Sequence, residues 1–217
     1  MTRRLRALLV ALFLAGASGP AVAIEFTRDE ALAALGDASS VERRRLGATR
    51  LADVGRMDDS AALVAALRDE DAGVRAGAER ALWQIWSTSG DPEIDRLMAL
   101  GIEQIASRAG DDAVATFTRI IERRPDFAEG WNKRATIYFL MGDYARSLAD
   151  CDEVMKRNPY HFGALSGYGM IHTQLGNPER ALEYFDRALR INPNLDGVRD
   201  AVETLRRLVI QRRRNTL

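Results

Sequence analysis

Cysteine is almost missing from this sequence: Cys151 is the only one in 217 residues. No intrachain disulfide can form in any compartment, so stability must come from packing, and a single thiol at a repeat position is expected to be buried. Histidine is nearly as scarce, with His161 and His172 alone, so no Cys/His zinc pattern of known spacing can be assembled. Lysine is confined to Lys133 and Lys156, and the 31 basic side chains are balanced by 31 acidic ones. That balance leaves no global field to select nucleic acid, a membrane surface or an acidic substrate. No stretch beyond residue 23 is apolar enough to span a bilayer. What remains is a composition 47% apolar and 29% charged, that of a folded chain rather than a disordered one.

The first residues read as a secretory signal. Arg3, Arg4 and Arg6 form a basic start, Ala7 to Ala15 an apolar core, and Ala21-Val22-Ala23 a small-x-small cleavage site. The apolar run falls short of the roughly 20 residues a spanning helix needs, and Gly16, Gly19 and Pro20 interrupt its end. Cleavage after Ala23 predicts a periplasmic chain carrying 28 basic and 31 acidic side chains, and no transmembrane helix.

Self-similarity appears further along. Pro125, Pro159 and Pro193 are spaced 34 apart, as are Ala113, Ser147 and Ala181, then Phe117, Cys151 and Phe185, then Ile120, Val154 and Ala188. Gly142 and Gly176 keep the same spacing. Each copy reads as two helices: large and small residues alternate on the first, a turn follows, and the second helix packs into the small slots. The second copy has Trp131, Ala135 and Tyr138, then Met141-Gly142-Asp143, then Tyr144 to Lys156. The third has Leu165, Gly169 and His172, then Leu175-Gly176-Asn177-Pro178, then Glu179 to Ile191. The first has Leu97, Gly101 and Gln104, with a turn displaced to Ala109-Gly110-Asp111. This pattern resembles the tetratricopeptide repeat over residues 92–195, with copies at 92–125, 126–159 and 160–193. Cys151 stands where an aromatic is usual and His172 where tyrosine is usual, which predicts looser packing there.

Residues 196–213 place Val198, Val202, Leu205, Leu208 and Val209 at helical spacing and read as a capping helix over the last copy. Arginines crowd its end, which reads as a solvated helix terminus, with an anionic partner or lipid headgroup as the alternative. Nearer the start, residues 24–39 form a short helical segment opened by the capping box Thr27-Arg28-Asp29-Glu30. Residues 40–87 resemble HEAT-type repeats: an apolar helix from Ala61 to Leu67, an acidic turn, and a second helix through Val74, Ala78, Leu82 and Ile85. Arg44, Gly47, Leu51 and Val54 precede the second helix by 31 residues. Ser87 to Pro92 is the expected boundary between the arrays. The fold class is thus all-α, a right-handed helical-repeat solenoid of three tetratricopeptide units with a capping helix, preceded by HEAT-like pairs.

No catalytic constellation emerges. His172 fills a packing slot, and a packing role also outweighs exposure for His161. The acidic runs Asp69-Glu70-Asp71, Asp111-Asp112 and Asp150-Asp152-Glu153 fall at turns or on helix faces, and Gly167-Tyr168-Gly169 lies inside a helix rather than in a phosphate loop. Catalytic, cofactor and metal residues are therefore expected to be none. The tetratricopeptide resemblance implies a groove lined by the first helices, taking a protein or peptide partner. Its candidates are Asn132, Lys133, Thr136, Phe139 and Leu140; Ser166, Gly167, Met170, Thr173 and Gln174; and Met98, Ile102 and Ile105. Some family members hold a peptide's terminal carboxylate with Lys, Asn and Arg; here Met98 and Ile102 occupy slots where that clamp needs Lys and Asn, so the resemblance implies no such clamp. The expected role is an exported scaffold or adaptor and not an enzyme. A lyase-like accessory factor using the HEAT-like segment is the alternative, and self-association a third reading.

Overall fold

The structure, a computed structural model, describes residues 26–215. The expected signal segment, 1–23, lies outside the described residues. Among those described, all regular structure is helical: α1 Arg28–Leu35, α2 Val41–Val54, α3 Ser60–Ala66, α4 Ala72–Ser87, α5 Pro92–Ala106, α6 Gly110–Arg123, α7 Ala128–Leu140, α8 Tyr144–Arg157, α9 Phe162–Gln174, α10 Pro178–Ile191 and α11 Asp196–Asn215. Local signals set most ends. Thr27 and Glu30 form a capping box on α1, Asp71 caps α4, and Asp91 caps α5 ahead of Pro92 in its first turn.

From α5 onward each helix packs on the next, so that the chain builds an all-α repeat array. One contact repeats within each copy. Gly101 and Gly169 lie under the rings of Phe117 and Phe185; a β-carbon on either glycine would come within 2.5 Å or 2.4 Å of ring carbons. In the middle copy both partners change together, to Ala135 and Cys151, both buried. A larger residue on one helix faces a smaller one on the other, and the space left is a cavity of about 140 Å3 lined by Ala135 and Cys151 among others. Burial also pushes the Cys151 thiol up to about 12, so it stays protonated and inert.

The turns between the two helices of a copy are in register, and the first is not displaced as its sequence suggests. Gly142 and Gly176 take φ of 78° and 72°, and Arg108, 34 residues before Gly142, takes φ 61°. The same helix-ending bond recurs: Ala109 N–H donates to the Gln104 carbonyl, Asp143 to Tyr138, and Asn177 to His172, at 2.8–2.9 Å. Tertiary register overrides the glycine at 110, and a bulky side chain sits where the backbone favours glycine.

The N-terminal helices are not a separate array. α2 packs on α4, with α1 on its other side and α3 against α4. The chain does break its helix between Ser87 and Pro92, but packing crosses that break. One apolar cluster joins Leu51, Leu63, Leu82 and Trp86 to Phe162, Leu165 and Tyr168. The loops on either side of α4 bond to the chain where the first and third copies end. Arg124 donates to the Ser89 carbonyl at 3.3 Å, Arg68 donates to the carbonyls of Arg190 and Ile191, and Asn194 donates to the Leu67 carbonyl at 2.8 Å. The N-terminal unit thereby ties down the ends of the first and third copies, while α4 touches α7 of the second.

Candidate protein-binding groove

The first helices α5, α7 and α9 present equivalent residues to one face, and the N-terminal unit covers one end of it. Asp95, Glu129 and Gly163 occupy the same slot in successive copies. Asp95 accepts from the Ser89 backbone N–H at 3.1 Å and from its hydroxyl at 2.6 Å. Glu129 is fully buried and reaches His161 Nε2 at 3.1 Å, and the His161 ring stacks on Trp86 with centroids 4.9 Å apart. Gly163 carries no side chain because the Trp83 ring lies where one would go, 2.6 Å from an added β-carbon.

The geometry assigns the His161 tautomer. Its Nδ1 caps α9 by accepting the Ala164 N–H at 3.0 Å, which leaves Nε2 to carry the hydrogen and donate to Glu129. Lys133 Nζ sits 3.0 Å from the other Glu129 oxygen, and Asn132 donates to Glu129 at 3.1 Å. Burial alone would raise the Glu129 carboxyl; the His161 bond and the Lys133 charge outweigh it and hold the group below the ordinary carboxylate value. Asn132 and Lys133, candidates from the sequence, are thus engaged by a buried carboxylate of their own helix. His161, fully buried, packs as the sequence reading favoured.

The remaining candidates divide by place. Thr136, Phe139, Ser166, Gly167 and Met170 surround the small cavity over Cys151, together with Asn132. Phe139 and Met170 also line a second, wider cavity of about 380 Å3, completed by Thr173, Gln174 and the α11 residues Asp200, Thr204 and Leu205. Through those two shared residues the cavities form one continuous trough. Thr136, Met170, Thr173 and Gln174 are exposed along it. Leu140 stands apart, lining a cavity of about 480 Å3 with Ile105, Ile137 and Met141 at the turn end of α5 and α7. Ile102 is exposed and Met98 is buried.

Sequence reasoning missed two participants. Trp83 and Trp86 lie three apart on α4, a spacing that puts both rings on one face, and they close the end of the trough. Their signal was two of the three tryptophans standing close together in the N-terminal half; their partners, His161 and Phe162, are about 75 residues away. The contribution of α11 was also missed. Asp200 reads as an ordinary surface acid on a capping helix, and only the crossing of α11 past α9 brings it to the trough.

Among the described residues no group of three or more His, Cys, Asp or Glu side chains is placed to hold a metal, and no helix is long and apolar enough to cross a membrane.

Comparisons with known proteins agree with this architecture. The tetratricopeptide repeat family profile matches residues 126–194. A TPR repeat-containing protein of Rhizobium etli is 38% identical over 108 residues, 50% of this chain and 53% of that protein. Hsp70-Hsp90 organizing protein 1 of Glycine max is 26% identical over 120 residues, 53% of this chain and 21% of that protein. The chain therefore spans about half the length of the bacterial relative and a fifth of the plant one. Among solved structures, the Sgt2 TPR domain from Aspergillus fumigatus superimposes with TM-score 0.54 at 21% identity, covering 57% of this chain and 83% of that one. The first TPR of Spaghetti (RPAP3), bound to the HSP90 peptide SRMEEVD, gives 0.52 at 20% identity, covering 54% and 93%. These two show the fold. Residues 126–194 are tetratricopeptide repeats, set in an all-helical chain whose N-terminal helices pack along their edge.

Proposed function

We propose that this chain is an exported adaptor that binds a protein or peptide partner in the trough between α7, α9 and α11. The observation that carries this is the trough itself. Exposed Met170 and half-buried Phe139 join two cavities on the repeat face, with hydroxyl and amide groups along the rim. Apolar side chains flanked by such donors suit a segment that buries one or two side chains while its backbone is hydrogen-bonded. Similarity to domains such as the RPAP3 TPR, held with a peptide in its structure, supports a binding role. Export rests on the signal pattern at residues 1–23 and places the adaptor in the periplasm. Within this reading residues 40–87 are a HEAT-like unit, supported by the packing of α2 on α4 with Leu51 and Leu82, 31 apart, both fully buried.

Fractionation of cells producing the full chain, followed by affinity capture, tests both parts. Mature protein beginning after Ala23 is expected in the periplasm, with a partner retained by the wild type and lost from Met170→Glu. Unprocessed cytoplasmic protein overturns the export reading; a partner retained equally by the variant overturns the trough.

A further inference from the structure

The trough is blind at one end and sparsely charged, and these two properties narrow what it accepts. Trp83 fills the slot over Gly163, and His161 with Glu129 fills the next, so a chain cannot run through at the end where α7 and α9 begin. Along the open part the lining consists of Phe139, Met170, Thr173, Gln174, Thr204 and Leu205, none of them charged. One ionised group lies at this wall: Asp200, exposed on α11. Its neighbours on the helix are engaged elsewhere or carry the same sign. Arg199 pairs with Asp196, Arg206 with Asp186 at 3.2 Å, Arg207 reaches back to the Thr204 hydroxyl at 3.4 Å at the far rim, and Glu203 is a further exposed acid, so Asp200 and Glu203 outweigh the one cation on this face. No cation among the described residues pairs with Asp200. The nearest lysine on the repeat face, Lys133, is held by Glu129.

We infer that the trough takes a short peptide segment with a bulky apolar side chain and a basic residue beside it, the apolar group entering between Phe139 and Met170 and the basic group meeting Asp200. This rests on the adaptor reading and names the partner's chemistry. Complementarity of sign carries the argument. A carboxylate in the trough faces Asp200 and meets only Arg207, at the far rim on Thr204, while a guanidinium or ammonium gains Asp200 as a partner and offers a donor to Gln174. Thioether and ring supply an adaptable apolar seat. The closed end limits the segment to a few residues.

Fluorescence anisotropy with two labelled, amide-ended peptides tests the inference: Ser-Leu-Phe-Arg-Leu-Arg-Ser and a twin with glutamate for both arginines. At low salt the basic peptide is expected to bind roughly tenfold tighter than its twin, attraction on one side and repulsion on the other each contributing a few-fold. Asp200→Asn, an exposed change that leaves the fold alone, should bring the ratio close to one. Thr173→Arg, also exposed, should weaken both peptides by blocking the trough. Equal binding of the twins, or a preference that survives Asp200→Asn, overturns the inference while the Thr173→Arg loss keeps the trough as a binding site. Binding that Thr173→Arg leaves untouched, or no binding of either peptide, overturns the trough itself. Light scattering on the free chain covers the remaining occupant: a dimer dissolved by Thr173→Arg gives the trough to a second copy and overturns the peptide assignment.

Discussion

Arg108 and His172 each hold a repeat slot with a residue the slot does not favour, and each departure has a measurable consequence. A non-glycine residue at φ 61° costs on the order of 1 kcal/mol relative to glycine, less the extra chain entropy that glycine carries in the unfolded state. Arg108→Gly is therefore expected to raise the urea midpoint by an amount corresponding to roughly 0.5 kcal/mol, and an unchanged or lower midpoint contradicts the turn geometry. His172 stacks parallel to Tyr184 with centroids 5.4 Å apart, and burial, followed by the charge of Arg180, lowers its pKa from the ordinary 6.5. Below pH 6.5 the unfolded chain takes up a proton that the folded chain refuses, so stability is full above that pH and falls as pH drops toward the lowered value. His172→Tyr, matching Tyr138 in the previous copy, should flatten this acid loss as pH falls below 6.5 in thermal melts. A slope identical to the wild type's locates the acid sensitivity elsewhere.

At the scale of helices, what the sequence makes legible depends on whether the signal is local. Pro92 and Pro178 at helix starts and the Thr27 capping box act within a few residues of where they stand, and with the 34-residue spacing they place α1 and the helices of the repeats. The Gly101–Phe117 and Gly169–Phe185 contacts were legible as spacing, but their compensation in the middle copy needs both partners in view. Ala135 and Cys151 exchange volume across a helix pair. Cys151→Phe alone drives a ring against the Ala135 methyl and is expected to destabilise by about 1–3 kcal/mol. Adding Ala135→Gly restores the arrangement of the flanking copies and should recover that loss, since the cavity of about 140 Å3 is then occupied. Chemical denaturation of the three variants checks this, and a double variant no better than Cys151→Phe contradicts the equivalence of the slots. The register of the first turn was misread for a related reason. A glycine at 110 is a local cue, whereas the packing of α5 and α6 decides where the turn closes, and it closes on Arg108.

Over the whole molecule, the least legible feature is the union of the two halves. A break at Ser87–Pro92 separates the helices in sequence, yet Trp83 and Trp86 carry the core of the N-terminal unit onto the repeat face. Long-range docking leaves little trace in a single sequence because it depends on faces brought together from residues about 75 apart. Because one apolar cluster spans both halves, the described chain should unfold in one transition, with tryptophan fluorescence and far-ultraviolet circular dichroism coinciding. Replacing Trp83 and Trp86 together by alanine removes the joint, costs several kcal/mol on the order expected for buried aromatics, and should separate the two signals. Coincident transitions in that double variant show that the halves are coupled by something other than the tryptophans. The joint also decides which part of the groove is open, since the same rings that hold the halves together close its end.

Site-specific photocrosslinking in the native host tests whether the open trough receives a protein partner. A photoreactive phenylalanine analogue at Met170, exposed in the trough, is compared with the same group at Glu183, exposed on α10. A discrete adduct is expected from position 170 that disappears when Thr173→Arg is added, and none from position 183. An adduct from position 183 alone, or adducts from 170 that ignore the Thr173 change, contradict it.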